Sequence, residues 1–218
     1  MTKEPRVKIP NYSLAEELIN SISHGVGALL GIAALVLCIV YASIKSDAWA
    51  VVGVSIYGAT LVILYTISTI YHALKINKAK RVFRVLDHCS VFLMIAGTYT
   101  PYTLVTLHGT IGWVIFGIVW GFTILGIVFN SIDVDKYKKL SIALNLIVGW
   151  VVIIAFKPLL AALGVLGVVL LIMGGVLYSV GAFLYAIGPR VKFMHSIFHF
   201  FVVAGSICHF FSIFFYVI

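Results

Sequence analysis

The positive charges of this chain alternate with its apolar segments, and that alternation limits its fold more than any other feature. When the apolar runs are drawn as seven membrane-spanning helices, Lys3, Arg6 and Lys8 precede the first. Lys75, Lys78, Lys80, Arg81 and Arg84 fall on the second connection, Lys136, Lys138 and Lys139 on the fourth, and Arg190 and Lys192 on the sixth. Only Lys45 and Lys157 lie on the other side. Cytoplasmic loops collect Lys and Arg, so the pattern predicts a cytoplasmic N-terminus and an external C-terminus. An even number of spans would not separate the charges in this way.

A chain of 218 residues that is 62% hydrophobic and 10% charged is not a soluble domain. A bilayer core of about 30 Å takes roughly 20 helical residues. The expected fold is therefore an all-α seven-transmembrane helix bundle, one domain over residues 1–218, with spans at 25–44, 49–71, 88–107, 111–130, 141–157, 163–186 and 195–217. Polar residues continue to about Asn20 and no small-residue cleavage site follows a short apolar core, so the first span is expected to be retained. The net charge of +8 reads as loop charge facing anionic lipid, which makes membrane lipids the expected partners and excludes nucleic acid. Cys38, Cys89 and Cys208 are odd in number and lack motif spacing, which predicts buried thiols.

Residues 11–23 read as a short amphipathic helix ahead of the first span, with Ser13 as its cap and Glu16 completing a capping box. Glu17, Asn20 and His24 share one face of it. That stripe points either to water or under the bundle toward a site on the cytoplasmic side. The connection from Ala73 to Leu86 is expected to lie on the cytoplasmic surface. Gly27 with Gly31 and Gly117 with Gly121 are small-xxx-small pairs that predict close helix packing. Pro101, flanked by Thr98, Thr100 and Thr103, predicts a kink in the third span.

Ionisable groups inside a span are costly and point to function. Here they are few. Span two, running inward, ends with Ser68 and His72; spans three and seven, running outward, begin with Asp87 and with His195 and His199. Five polar groups on three helices are thus predicted to meet near the cytoplasmic face. His195 and His199 are spaced i, i+4, which places two imidazoles on one helical face with Cβ atoms about 5–6 Å apart. A third imidazole from His72 would complete a three-histidine site with an open position, as in catalytic zinc centres. Imidazole ligands also suit copper or nickel, and interfacial histidines can simply bond backbone carbonyls. His88 and His108 are expected at the surface. His209 is too far along its helix to share an ion with His195; it predicts either a polar cavity above the site or a satisfied core histidine.

Glu17-Leu-Ile-Asn20 with His24, Ser68-Thr-Ile-Tyr-His72, Leu86-Asp87-His88, and His195-Ser-Ile-Phe-His199 followed by His209 together resemble the haemolysin III proteins, within the progestin and adipoQ receptor family. The resemblance covers nearly the whole chain. It implies seven helices, a cytoplasmic N-terminus and zinc (Zn2+) held by His72, His195 and His199, with Ser68 and Asp87 as the nearby serine and aspartate. A wider similarity to alkaline ceramidases implies a hydrolase acting on lipid amides. The chain does not resemble the adiponectin receptors in their long N-terminal cytoplasmic domain, so their receptor biology is not expected to carry over.

Three functions follow as expectations. The leading one is a zinc-dependent lipid hydrolase of the plasma membrane, in which Asp87 shuttles a proton and Ser68, with the metal, stabilises the oxyanion of an acyl carbonyl. The second is a haemolytic, pore-forming protein. The third is a non-catalytic zinc sensor.

Overall fold

The computed structural model describes residues 7–188 and 191–218, and every described element is helical. Lys3, Arg6 and Arg190, which contribute to the charge alternation, lie outside the described residues. Helix α1 runs over Leu14–Lys45, α2 over Ala48–Ala73, α3 over Lys78–Pro101, α4 over Gly109–Asp133, α5 over Lys138–Gly149, α6 over Phe156–Ile187 and α7 over Met194–Tyr216. Among the described residues, six stretches are long and apolar enough to cross a membrane. Five are α1, α2, α3 with its π-helical extension to Thr106, α4 and α7; the sixth is the 50-residue stretch Lys138–Ile187. The chain is a multi-pass membrane protein. Large apolar side chains such as Leu29, Ile44, Val165, Leu166 and Phe215 face outward along these helices, where lipid replaces water as the solvent.

Local sequence accounts for the boundaries. Ser13 caps α1: its hydroxyl accepts from the Glu16 backbone N–H while Glu16 Oε2 accepts from the Ser13 N–H, at 2.9 Å. The expected short helix over residues 11–23 is not a separate element, because α1 continues unbroken to Lys45 and carries the polar stripe into the bundle. Asp47 and Asn77 cap α2 and α3 in the same manner, through Ala50 N–H and Lys80 N–H. The Asn77 cap starts α3 at Lys78, so the basic stretch expected at the surface forms the first turns of a helix and the connection shrinks to four residues. Pro101 ends α3 and the chain continues as a π-helical turn over Tyr102–Thr106. The hydroxyls of Thr98, Thr100 and Thr103 donate to the carbonyls of Met94, Ala96 and Tyr99 around this turn. Within Lys138–Ile187, helical geometry tightens to 3₁₀ over Val151–Ala155 and breaks at Gly164, whose φ of 66° is readily adopted only by glycine.

Consecutive helices pack on one another and α7 returns against α1, closing the bundle. Small residues set the close approaches. A Cβ at Gly27 would stand 2.7 Å from the Tyr65 ring, and one at Gly58 would stand 2.6 Å from Leu35. The same expectation fails on α4. Gly117 and Gly121 have nothing within 4 Å, because α4 turns Gly112, Ile115, Val119 and Gly126 inward instead. This closed arrangement brings the C-terminal end of α2 and the N-terminal ends of α3 and α7 together around the first turns of α1.

Candidate metal centre

His72 closes α2, and His195 and His199 lie one turn apart at the start of α7. The structure turns their Nε2 atoms toward a common centre. His195 Nε2 is 3.3 Å from His72 Nε2 and 3.2 Å from His199 Nε2, and one ligand atom from each of the three lies within 4.8 Å of the others. All three residues are buried.

The opposite ring nitrogens are held by α1. Glu17 Oε2 lies 2.6 Å from His72 Nδ1, and the Asn20 carbonyl lies 3.2 Å from His199 Nδ1. A carboxylate and a carbonyl only accept, so both Nδ1 atoms donate and the corresponding Nε2 atoms present lone pairs. A proton on His195 Nε2 can serve one neighbour. The other contact then sets two lone pairs against each other in a buried site, and a cation at the centre removes that conflict. Nitrogen ligands about 2.0–2.1 Å from a tetrahedral zinc ion stand about 3.3–3.4 Å apart, close to the two spacings seen here. The residues present fit a metal ion, and a set of three imidazoles suits zinc, copper or nickel.

Glu17 has a second contact. Its Oε1 lies 2.6 Å from Lys80 Nζ, which also donates to the Leu74 carbonyl at 2.9 Å. The Lys80 side chain is only 2% exposed. Of the two directions open to the stripe Glu17, Asn20, His24, the structure takes the inward one. The His24 ring stacks on His199 at 3.6 Å, and neither of its nitrogens has a hydrogen-bond partner among the described residues.

Ser68 and Asp87 lie beside the histidines rather than among them. The Ser68 hydroxyl faces the Asp87 carboxylate, and both line a cavity of about 160 Å³ with His24, His195 and His199. This cavity is elongated. It follows one stripe of α3 from Asp87 through Val91 and Met94 to Thr98 and continues to Tyr102 in the π-helical turn, and His209 lines it as well. His209 is fourteen residues beyond His195, about 21 Å along the helix, and does not meet the three-histidine group. His88, expected at the surface, also lines the cavity; its Nε2 is 2.9 Å from the Tyr185 hydroxyl and its Nδ1 is 2.8 Å from the Arg84 carbonyl.

Several residues at the site escaped the sequence reading. The Tyr12 ring stacks on His195 at 4.9 Å, and burial pushes its phenol well above the usual value. Arg84 grips Asp135 through two bonds of 2.7 and 2.9 Å and also donates to the Lys8 carbonyl. The Lys8 N–H donates to Asp135 Oδ2 at 3.0 Å. Burial raises the Asp135 carboxyl, but Arg84 and the Lys8 N–H outweigh it and hold the carboxyl below the usual carboxylate range. The segment ahead of α1 is thereby tied to the N-terminal turns of α3 and to the connection after α4. Lys80, Arg84, Asp87 and Val91 are spaced i, i+4, i+7, i+11, and that spacing was the available signal for a continuous inward face of α3. Tyr12 offered none.

Comparison with known proteins identifies the family. A family model described as haemolysin-III related matches residues 12–210. The chain is 43% identical to Hemolysin-3 of Bacillus cereus over 203 residues, covering 93% of this chain and 92% of that one. It is 42% identical to the Hemolysin-3 homolog of Bacillus subtilis (strain 168), covering 94% and 96%. A more distant relative is the human monocyte to macrophage differentiation factor, 24% identical over 91% of this chain and 83% of that one. No solved structure matches the chain. The chain belongs to the haemolysin-III-related family.

Proposed function

We propose that this member of the haemolysin-III-related family is a zinc-dependent hydrolase of lipid amide or acyl bonds, crossing the plasma membrane seven times with its N-terminus in the cytoplasm and its C-terminus outside. The observation that carries the reading is the set of inward-turned Nε2 atoms of His72, His195 and His199, with His195 Nε2 3.2–3.3 Å from the other two, lying beside an acid and a hydroxyl on an elongated cavity. Seven crossings are supported by the length of Lys138–Ile187. Fifty residues of helix would extend about 75 Å, more than twice a bilayer core of about 30 Å, and the stretch is interrupted at Val151–Ala155 and Gly164. The alternation of Lys and Arg supports the orientation.

His72, His195 and His199 would hold the ion, with Glu17 and the Asn20 carbonyl fixing the orientation of two of the rings. Bound zinc supplies Lewis acidity and activates water near neutral pH. The Ser68 hydroxyl donates to the oxygen of the substrate carbonyl as negative charge develops there. The Asp87 carboxylate takes the proton of the attacking water and returns it to the leaving amine or alcohol. The apolar walls of the cavity, among them Val91, Met94, Ile95, Leu171 and Val202, suit an acyl chain.

A second reading, membrane lysis, is favoured by the relatives that carry the name Hemolysin-3. One comparison separates the two: wild type against Asp87→Asn at equal zinc occupancy, with lipid-amide cleavage and haemoglobin release both measured. The hydrolase reading expects the variant to retain zinc and to lose at least about 100-fold in cleavage rate. Equal haemoglobin release from both proteins, with no cleavage by either, would install lysis in its place.

A further inference from the structure

Beside the elongated cavity lies a second, much smaller one of about 20 Å³, room for roughly one water or one small charged group. His88, Lys138, Tyr185 and His195 line both, so the two spaces adjoin at the metal centre. The rest of the small cavity is Pro10 and Tyr12 from the segment ahead of α1, Tyr71 from α2 and Arg84 from α3, and no acidic side chain lines it. Its two cations differ. Arg84 is bound to Asp135 through both terminal nitrogens. Lys138 has no carboxylate within ion-pair distance among the described residues, and its ammonium stands over the Tyr185 ring, 4.5 Å from the ring centre. The acids of the centre are committed elsewhere. Glu17 holds His72 and Lys80, Asp135 holds Arg84 and the Lys8 N–H, and Asp87 faces the larger cavity. Tyr71 is only 2% exposed, yet its hydroxyl has no hydrogen-bond partner among the described residues and is not sealed in the core; the same holds for the Tyr12 hydroxyl. An uncompensated ammonium and unpaired phenol donors around one small space indicate an anion that pairs with them.

We propose that Lys138, Tyr71 and Tyr12 form a recognition site for a carboxylate on the leaving side of the lipid, which makes the substrate an acyl chain in amide linkage to an amino acid. About 20 Å³ suits a carboxylate better than a bulkier phosphate-bearing headgroup. A carboxylate only accepts, and an ammonium with two phenols supplies only the donors it needs. An amino acid carries its carboxylate one carbon from the amide nitrogen. Because His195 lines both cavities, a single ligand places its acyl chain in the apolar channel, its amide carbonyl at the metal centre and its carboxylate in the small cavity. This site presupposes the lipid cavity of the reading above, names the substrate class for it, and is independent of turnover.

Calorimetric binding to the full-length, zinc-loaded protein in detergent tests it, with hexadecyloxyacetate and 2-(hexadecyloxy)ethanol as the two probes. Neither contains an acyl bond, so binding is read without turnover. Wild type is expected to bind the carboxylate at least about tenfold more tightly. Lys138→Gln is expected to erase most of that preference and Tyr71→Phe to cut it at least about threefold, with affinity for the neutral ether, zinc content and melting temperature unchanged. Equal affinity for the two probes in wild type would overturn the site. A preference that survives intact in Lys138→Gln would overturn it too, by placing the carboxylate on the metal instead. Failure of both probes to bind would overturn the lipid cavity along with it. Zinc content and lipid-amide cleavage, measured on the same preparation, separate each result from a failure of the hydrolase reading.

Discussion

Replacing Glu17 by Gln tests how α1 controls the centre. The carboxylate spans two cationic or donating groups, His72 Nδ1 and Lys80 Nζ, each at 2.6 Å. The two donors meet different oxygens of Glu17, so an amide, with an NH2 in place of one oxygen, turns a donor toward one of them. A hydrogen bond to a charged group is worth about 1.5–3 kcal/mol. Partners behind a metal-bound histidine typically govern about 10–100-fold in metal affinity, or roughly 1.4–2.7 kcal/mol, so the two estimates agree. The zinc dissociation constant, read by competition with a chromophoric chelator, is expected to rise about 10–100-fold. Stability falls as well, because Lys80 is left buried without its anion, a loss that costs about 3–5 kcal/mol when one partner of a buried pair is removed. The two effects separate in Glu17→Gln/Lys80→Met, which is expected to recover melting temperature but not zinc affinity. A wild-type zinc affinity in Glu17→Gln, alongside the lowered melting temperature, would refute the role assigned to Glu17.

Two further predictions concern the inner surface and the path of the chain. The Asp135 carboxyl is held below its ordinary value, so its ties to Arg84 and Lys8 persist above the usual carboxylate range near about 3.9 and are lost only as pH falls through the lowered value. Hydrogen exchange of residues 7–13 should stay slow from neutral pH to about 4, and be fast at all pH in Asp135→Asn; release beginning near pH 6 would contradict the assignment. A reporter that folds only outside the cell should be active when fused after Ile218, whereas activity there of a reporter confined to the cytosol would eliminate seven crossings.

The parts of this centre that were legible in the sequence are those written in short-range spacing. His195 and His199 face one way because i and i+4 do so in any helix. Ser13 and Glu16 announce a cap by their own chemistry, and the structure contains it. The inward course of Lys80 and Arg84 was written only in their helical spacing with Asp87 and Val91, and a run of basic residues reads as a solvated loop until its counter-charges are known. Those lie far off in sequence: Glu17 for Lys80, Asp135 for Arg84. Glycine pairs mislead for a similar reason. Gly27 and Gly31 meet α2, whereas Gly117 and Gly121 have the same spacing and meet nothing, since spacing names a face without naming what it packs against. The polar stripe of α1 remained ambiguous until the closed bundle turned Glu17 onto His72.

The central claim is that His72, His195 and His199 hold one metal ion, and elemental analysis of the purified protein tests it most directly. About one zinc per chain is expected in wild type, retained in His209→Ala and lost in His72→Ala and in His195→Ala/His199→Ala, provided each variant remains folded by melting temperature. Full zinc content in the folded double variant, or none in wild type purified without chelator and reloaded with zinc, would contradict the account.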